Sequence, residues 1–154
     1  MAVNKPQADT IDILSGGELG FLVSAARSAI WSSIEAELQP LDITAAQFVV
    51  FNSIAQGKGR TIGEFCRLLG YDSGAMTRLL DRIENKGLIR RVPNPEDRRS
   101  FLLELTPESR AVFPQAKKRV RAVFKRLLAG IDEKQAAVLR QSLEQLLANA
   151  ARSS

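Results

Sequence analysis

Residues 72 to 106 read DSGAMTRLLDRIENKGLIRRVPNPEDRRSFLLELT, and the rest of the chain takes its place around them. In the first half Met76, Leu79, Leu80 and Ile83 recur at i, i+3, i+4 and i+7, which on a helix makes one apolar stripe that must face a core. The opposite stripe holds Gly74, Thr77, Arg78, Asp81, Arg82 and Asn85. Asp72 or Ser73 can cap the first turn, because a short side-chain oxygen accepts from amides that lack a partner inside the helix. Gly87 supplies the left-handed residue that ends it. Leu88 to Val92 and Phe101 to Leu105 are then apolar, strand-prone runs separated by PNPEDRRS, whose prolines and Asn94 mark a hairpin tip. Phe101, Leu103 and Leu105 alternate toward one face. Upstream, Thr61 to Gly70 (TIGEFCRLLG) places Ile62, Phe65, Cys66 and Leu69 at helical spacing, and Gly70 with Tyr71 supplies a tight turn. Short helix, turn, second helix and a hairpin with a charged tip make a winged helix-turn-helix.

On these residues the sequence resembles the MarR family, the winged-helix regulators named after multiple antibiotic resistance. The resemblance is carried by TRLLDRIENKGLIRR, by DRRSFLLELT and by LDITAAQFVV upstream, and spans roughly residues 17 to 130. It implies a mainly α fold of six helices plus a β-hairpin wing. In one domain over residues 1–154, residues 44–106 are expected to form the DNA-binding lobe. Residues 15–39 and 107–151 are expected to form dimerisation helices that interlock with a second subunit, and residues 1–14 a flexible tail. The same helices have a plainer reading, as an ordinary bundle within one subunit, and amphipathicity alone does not separate the two.

Composition sets the other limits. A chain of 154 residues fits one domain with a sizeable core. No apolar run approaches the roughly 20 residues of a membrane span, and MAVNKPQADTIDIL lacks the pattern of an export signal, so a cytoplasmic location without membrane contact is expected. Cys66 is the only cysteine and histidine is absent, which excludes intrachain disulfides, metal sites built from imidazole and thiolate, and histidine acid/base chemistry. No cofactor is implied. Nothing assembles a nucleophile with a base or a phosphate-cradling loop, so an enzyme is not expected. The formal charge of +5 is uneven: residues 1–71 hold 5 basic and 7 acidic side chains, 72–106 hold 7 and 6, and 107–154 hold 10 and 4. The surplus at the reading head is therefore modest, although the seven basic residues from Arg78 to Arg99 face only Asp81, Glu84, Glu96 and Asp97 within that span.

Along the chain, Ser15 with Glu18, Thr44 with Gln47 and Thr61 with Glu64 repeat the capping-box spacing, each ahead of an apolar periodic run. The first run carries Leu19, Leu22, Val23, Ala26, Ile30 and Ile34 and stops before Pro40; the second is expected to bury Phe48, Phe51 and Ile54. After the hairpin, Thr106 and Pro107 announce a long helix with Phe113, Ala116, Val120, Val123, Phe124 and Leu127. Gly130 ends it, and Asp132 with Gln135 opens a last helix carrying Leu139, Leu143, Leu146 and Leu147.

The candidate DNA contacts follow from position. Arg78 and Arg82 lie four apart on the solvent stripe, where guanidinium forks can meet guanine edges or phosphates; the competing reading is surface arginines paired with Asp81 and Glu84. Ser73, Gly74, Ala75 and Thr77 are small enough to let a helix N-terminus approach a groove and offer amides to a phosphate. The resemblance implies DNA contact by Ser73, Gly74, Thr77, Arg78 and Arg82. At the wing tip Asp97, Arg98 and Arg99 match the family's Asp-x-Arg pattern, implying Asp97 as the orienter of Arg99 and Arg99 as a minor-groove probe; a solvated turn is the alternative. The resemblance also implies a small aromatic or anionic effector, for which Arg27, Trp31, Phe48 and Phe51 are the candidate lining, unless those aromatics are plain core. Cys66 reads as a small core hydrophobe rather than a sensor. The expected function is that of a homodimeric, sequence-specific regulator of double-stranded DNA, a ligand-responsive repressor on a pseudo-palindromic operator. The alternative is a winged helix used as a protein-interaction module without DNA.

Overall fold

The computed structural model describes residues 17–152, so the expected tail and the Ser15 half of the first cap lie outside the described residues. Six α-helices and one hairpin follow in the expected order: α1 (Gly17–Leu38), a 3-10 turn (Gln39–Leu41), α2 (Ala45–Ala55), α3 (Ile62–Leu69), α4 (Ser73–Asn85), β1 (Ile89–Pro93), β2 (Phe101–Leu105), α5 (Pro107–Leu127) and α6 (Glu133–Arg152). The caps are formed as the spacing requires. Thr44 Oγ1 accepts the Gln47 amide at 3.2 Å while the Gln47 side chain accepts the Thr44 amide at 3.1 Å. Thr61 with Glu64 and Asp132 with Gln135 repeat this exchange. Thr106 Oγ1 accepts from Ser109 ahead of Pro107, whose missing N–H costs nothing in a first turn.

The core lies where α2, α4, the hairpin and the middle of α5 converge. Leu38, Phe51, Phe65, Met76, Leu80, Ile83, Leu103 and Val123 are fully buried, so the stripe read from residues 76 to 83 faces inward. The strands pair antiparallel with Ile89 opposite Leu105, Arg91 opposite Leu103 and Pro93 opposite Phe101. The Leu103 amide donates to the Arg60 carbonyl at 2.9 Å, which ties the loop before α3 along the hairpin edge. Two expectations change here. Phe101 has the same parity as Leu103 and Leu105 but is 56% exposed, because its register position lies outward of the core along the wing. Ile54, expected to be buried with Phe48 and Phe51, is half-buried at the end of α2.

The two ends of the chain are covered differently from its middle. Ile30 and Ile34 of α1 join the core, but Leu19, Phe21 and Leu22 are exposed, Phe21 by 71%. No residue of α6 is buried, and Leu139, Leu143, Leu146 and Leu147 all face outward. Leu19 and Val23 line one groove together with Leu139, Leu143 and Leu146. No helix among the described residues is long and apolar enough to cross a membrane.

Candidate nucleic-acid interface

The recognition helix α4 is held at both ends. The Asp72 carboxylate accepts the Ala75 amide at 2.8 Å, and this bond, helped by weaker ones and the nearby Arg78 charge, keeps its pKa below the ordinary value. At the other end Gly87 is left-handed (φ +69°), and the Gly87 and Leu88 amides return to the Glu84 and Ile83 carbonyls at 2.8 and 3.1 Å. Lys86, the C-cap, reaches across to Asp42 and bonds its carbonyl at 2.9 Å and its carboxylate at 2.8 Å. Asp42 is the only described non-glycine residue with positive φ, so this lysine grips a strained position in the connection between α1 and α2.

Ion pairing then sorts the seven basic residues of the reading head. Arg91 bonds Asp81 at 2.6 Å and also pairs with Glu84. Arg90 pairs with Glu104 at 2.8 Å across the strands, where Arg60 also approaches. Lys86 is held by Asp42. Arg78, Arg82, Arg98 and Arg99 are exposed and make no ion pair among the described residues. The competing reading, in which Asp81 and Glu84 neutralise Arg78 and Arg82, is thus not the arrangement found. Both carboxylates turn to the wing instead.

The rest of the helix N-terminus is open. Ser73 and Gly74 are exposed, and Thr77 is half-buried with its hydroxyl donating to the Ser73 carbonyl at 2.7 Å. A Cβ on Gly74 would stand 3.5 Å from Arg78 Nη1 and 3.2 Å from Asp72 Oδ1, so the glycine leaves room for the arginine to fold back over the first turn.

At the wing tip Asp97 acts on the backbone. Its carboxylate accepts the Arg99 amide at 3.0 Å, and its carbonyl accepts the Ser100 amide at 3.0 Å. Asn94 closes the turn by donating to Ser100 Oγ at 2.9 Å. The sequence suggested a carboxylate gripping a guanidinium; the structure shows the same residue fixing the chain from which Arg99 projects.

Arg27, Trp31, Phe48 and Phe51 are not gathered into one pocket. Arg27 lies over the Trp31 ring at 5.8 Å. Phe51 is 1% exposed, and Phe48 is buried and stacked on Phe113 with ring centroids 5.9 Å apart, so both belong to the core. Trp31 instead faces an open groove whose other walls include Gln47, Tyr71, Arg82, Asn85 and Lys86. Cys66 is half-buried against the core, in keeping with a packing role.

Sequence reasoning missed Arg91, Lys86 and Tyr71. Arg91 carried one signal: it shares strand parity with the buried Ile89, so an arginine stands where an aliphatic residue is expected. The Lys86 bond to Asp42 joins residues 44 apart, and no local pattern marks it.

Comparison with known proteins bears on this geometry. The MarR family model matches residues 41–100. The multiple antibiotic resistance protein MarR of Salmonella typhimurium is 40% identical over 108 residues, 70% of this chain and 73% of that protein. The HTH-type transcriptional repressor Rv2887 of Mycobacterium tuberculosis is 29% identical over 128 residues, 83% of this chain and 92% of that one. Among solved structures, a cysteine-to-serine variant of Escherichia coli MarR complexed with operator DNA superposes with a TM-score of 0.75 at 35% identity, covering 84% of this chain and 94% of that chain. With a wing, a recognition helix and relatives of this extent in agreement, the chain belongs to the MarR family of transcriptional regulators.

Proposed function

We propose that the chain is a transcriptional repressor that binds operator DNA as a homodimer in the cytoplasm. The observation that carries this reading is the sorting of charge: both carboxylates of α4, Asp81 and Glu84, are turned to Arg91, while Arg78, Arg82, Arg98 and Arg99 make no ion pair among the described residues. Residues 44–106 form the reading lobe, with Ser73, Gly74 and Thr77 at the phosphate backbone, Arg78 and Arg82 in the major groove, and Arg99 in the flanking minor groove. Arg98 lies beside it at the tip, and Asp97 shapes that turn. Residues 15–39 and 107–151 supply assembly, since the exposed apolar stripes of α1 and α6 suit a second copy. The operator is a pseudo-palindrome with half-sites about one helical turn, roughly 10 base pairs, apart. The names of the relatives support repression.

The effector site is best placed in the groove walled by Trp31, Tyr71 and Arg82 rather than among Phe48 and Phe51. A small aromatic anion stacked there would engage Arg82, which also faces the operator, and so would weaken DNA binding.

Salt titration of binding to a labelled duplex tests the main reading. Phosphate contact requires a steep linear fall of log affinity with log salt, whereas a protein-interaction module with an apolar interface shows neither duplex binding nor that slope. Within the same assay Arg78→Ala should relax base preference at one symmetric pair of positions by about 1 to 3 kcal/mol, the worth of a bidentate guanine contact. An unchanged preference would remove Arg78 from base readout.

A further inference from the structure

The carboxylates of α4 lie where they ought to weaken DNA binding. Asp81 follows Arg78 by three residues, the spacing at which side chains on a helix surface meet and pair. On an isolated helix its natural partner is therefore a reading arginine, and its charge opposes phosphate. In the folded protein Asp81 Oδ1 is bonded instead by Arg91 at 2.6 Å, and Glu84 takes both the other guanidinium nitrogen and, at 3.3 Å, the Arg91 amide. The aliphatic stem of Arg91 shares the inner face of the hairpin, opposite the buried Leu103.

Folding alone gives no reason for an arginine there. Its side chain is 26% exposed, and partly buried ion pairs are often no more stabilising than an apolar side chain of similar size in the same place. The reading head, by contrast, gains from the arrangement. We infer that Arg91 is an electrostatic positioning residue for operator binding: by drawing Asp81 and Glu84 to the wing, it keeps Arg78 unpaired and the recognition surface positive. This rests on the DNA-binding reading above and adds a determinant that does not itself touch DNA.

A purely mechanical role, in which the same contacts act as a strut between wing and helix, predicts something different. Arg91→Met and the double substitution Asp81→Asn with Glu84→Gln both break the strut, so a strut requires both to weaken binding. Masking requires opposite signs. Arg91→Met exposes two carboxylates and should weaken binding about ten- to a hundredfold at low salt, with the deficit shrinking as salt rises. The double variant removes the carboxylates and frees a guanidinium, so it should bind as tightly as the unmodified protein or more tightly. Adding the double substitution to Arg91→Met should restore most of the lost affinity.

The experiment is fluorescence anisotropy on a labelled duplex enriched from a random-sequence pool by the unmodified protein, at about 50 and 200 mM salt, the range over which phosphate contacts respond most. Circular dichroism and thermal unfolding check that each variant is folded. Should Arg91→Met fail to fold, the double variant decides alone: affinity retained or raised supports masking, and affinity lost overturns it. Absence of salt-dependent duplex binding by the unmodified protein overturns the DNA-binding reading itself, and this assignment with it.

Discussion

At Asp97 the bond that the carboxylate makes differs from the one that its neighbours suggested. An acid beside two arginines at a wing tip pointed to an orienting role, and a guanidinium was the obvious thing to orient. The carboxylate instead closes a turn on the Arg99 amide, a choice set by short-range backbone geometry that residue spacing does not encode. The distinction is measurable. Asn can make the same bond to the amide without the charge, so Asp97→Asn should keep operator affinity or raise it, while Asp97→Ala should lower it. If the turn is what aims Arg99, the effects of Asp97→Ala and Arg99→Ala will not add in a double-mutant cycle. Additivity in anisotropy titrations at fixed salt would leave Asp97 with no part in placing that side chain. Arg91 failed to stand out for a related reason: its partners come from the preceding helix, and only its inward strand parity hinted at them.

The helices of the reading head were legible because their boundaries are written in short-range chemistry. Threonine or aspartate, three residues ahead of glutamine, glutamate or an open amide, gave each start, and Gly87 gave the end of α4. These caps also carry a pH dependence. Glu64 accepts the Arg60 and Thr61 amides and the Thr61 hydroxyl, each at 2.8 Å, and the Arg60 amide contributes most to holding its pKa below the ordinary 4.5. Because the unfolded chain then binds a proton more readily than the folded one, the stabilisation is fully present above about pH 4.5 and is lost as pH falls through the depressed folded value. Thr61→Ala should cost about 1 kcal/mol at neutral pH through the lost cap. It should also move the acid limb of the stability curve upward, since Glu64 loses a donor that favours its charged form. Thermal unfolding between pH 3 and pH 7 reads both effects, and a limb that stays in place would separate Glu64 from the acid response.

At the scale of the molecule, the winged lobe and the outer helices are legible to different degrees. The stripe at residues 76 to 83 found its core inside one chain, so periodicity was enough. The stripe of α6 has none among the described residues, and periodicity is silent on whose surface covers it. The proposed assembly predicts a dimer at micromolar concentration. Replacing Leu143 and Leu147 together by lysine should then yield monomer or aggregate, because each substitution places an unpaired charge in the contact. Sedimentation of an unmodified, folded monomer would remove the proposed role of α6.

The exposed α6 has a further consequence for how such a regulator would respond to its own abundance. Under the proposed assembly, in which a second copy covers α6, folding and pairing are coupled, so the paired species grows with the square of chain concentration when chains are scarce. In that regime, a twofold fall in chain concentration would reduce the paired form by about fourfold rather than twofold. Once synthesis of the chain stopped, dilution by growth would then remove the paired form faster than the chain itself.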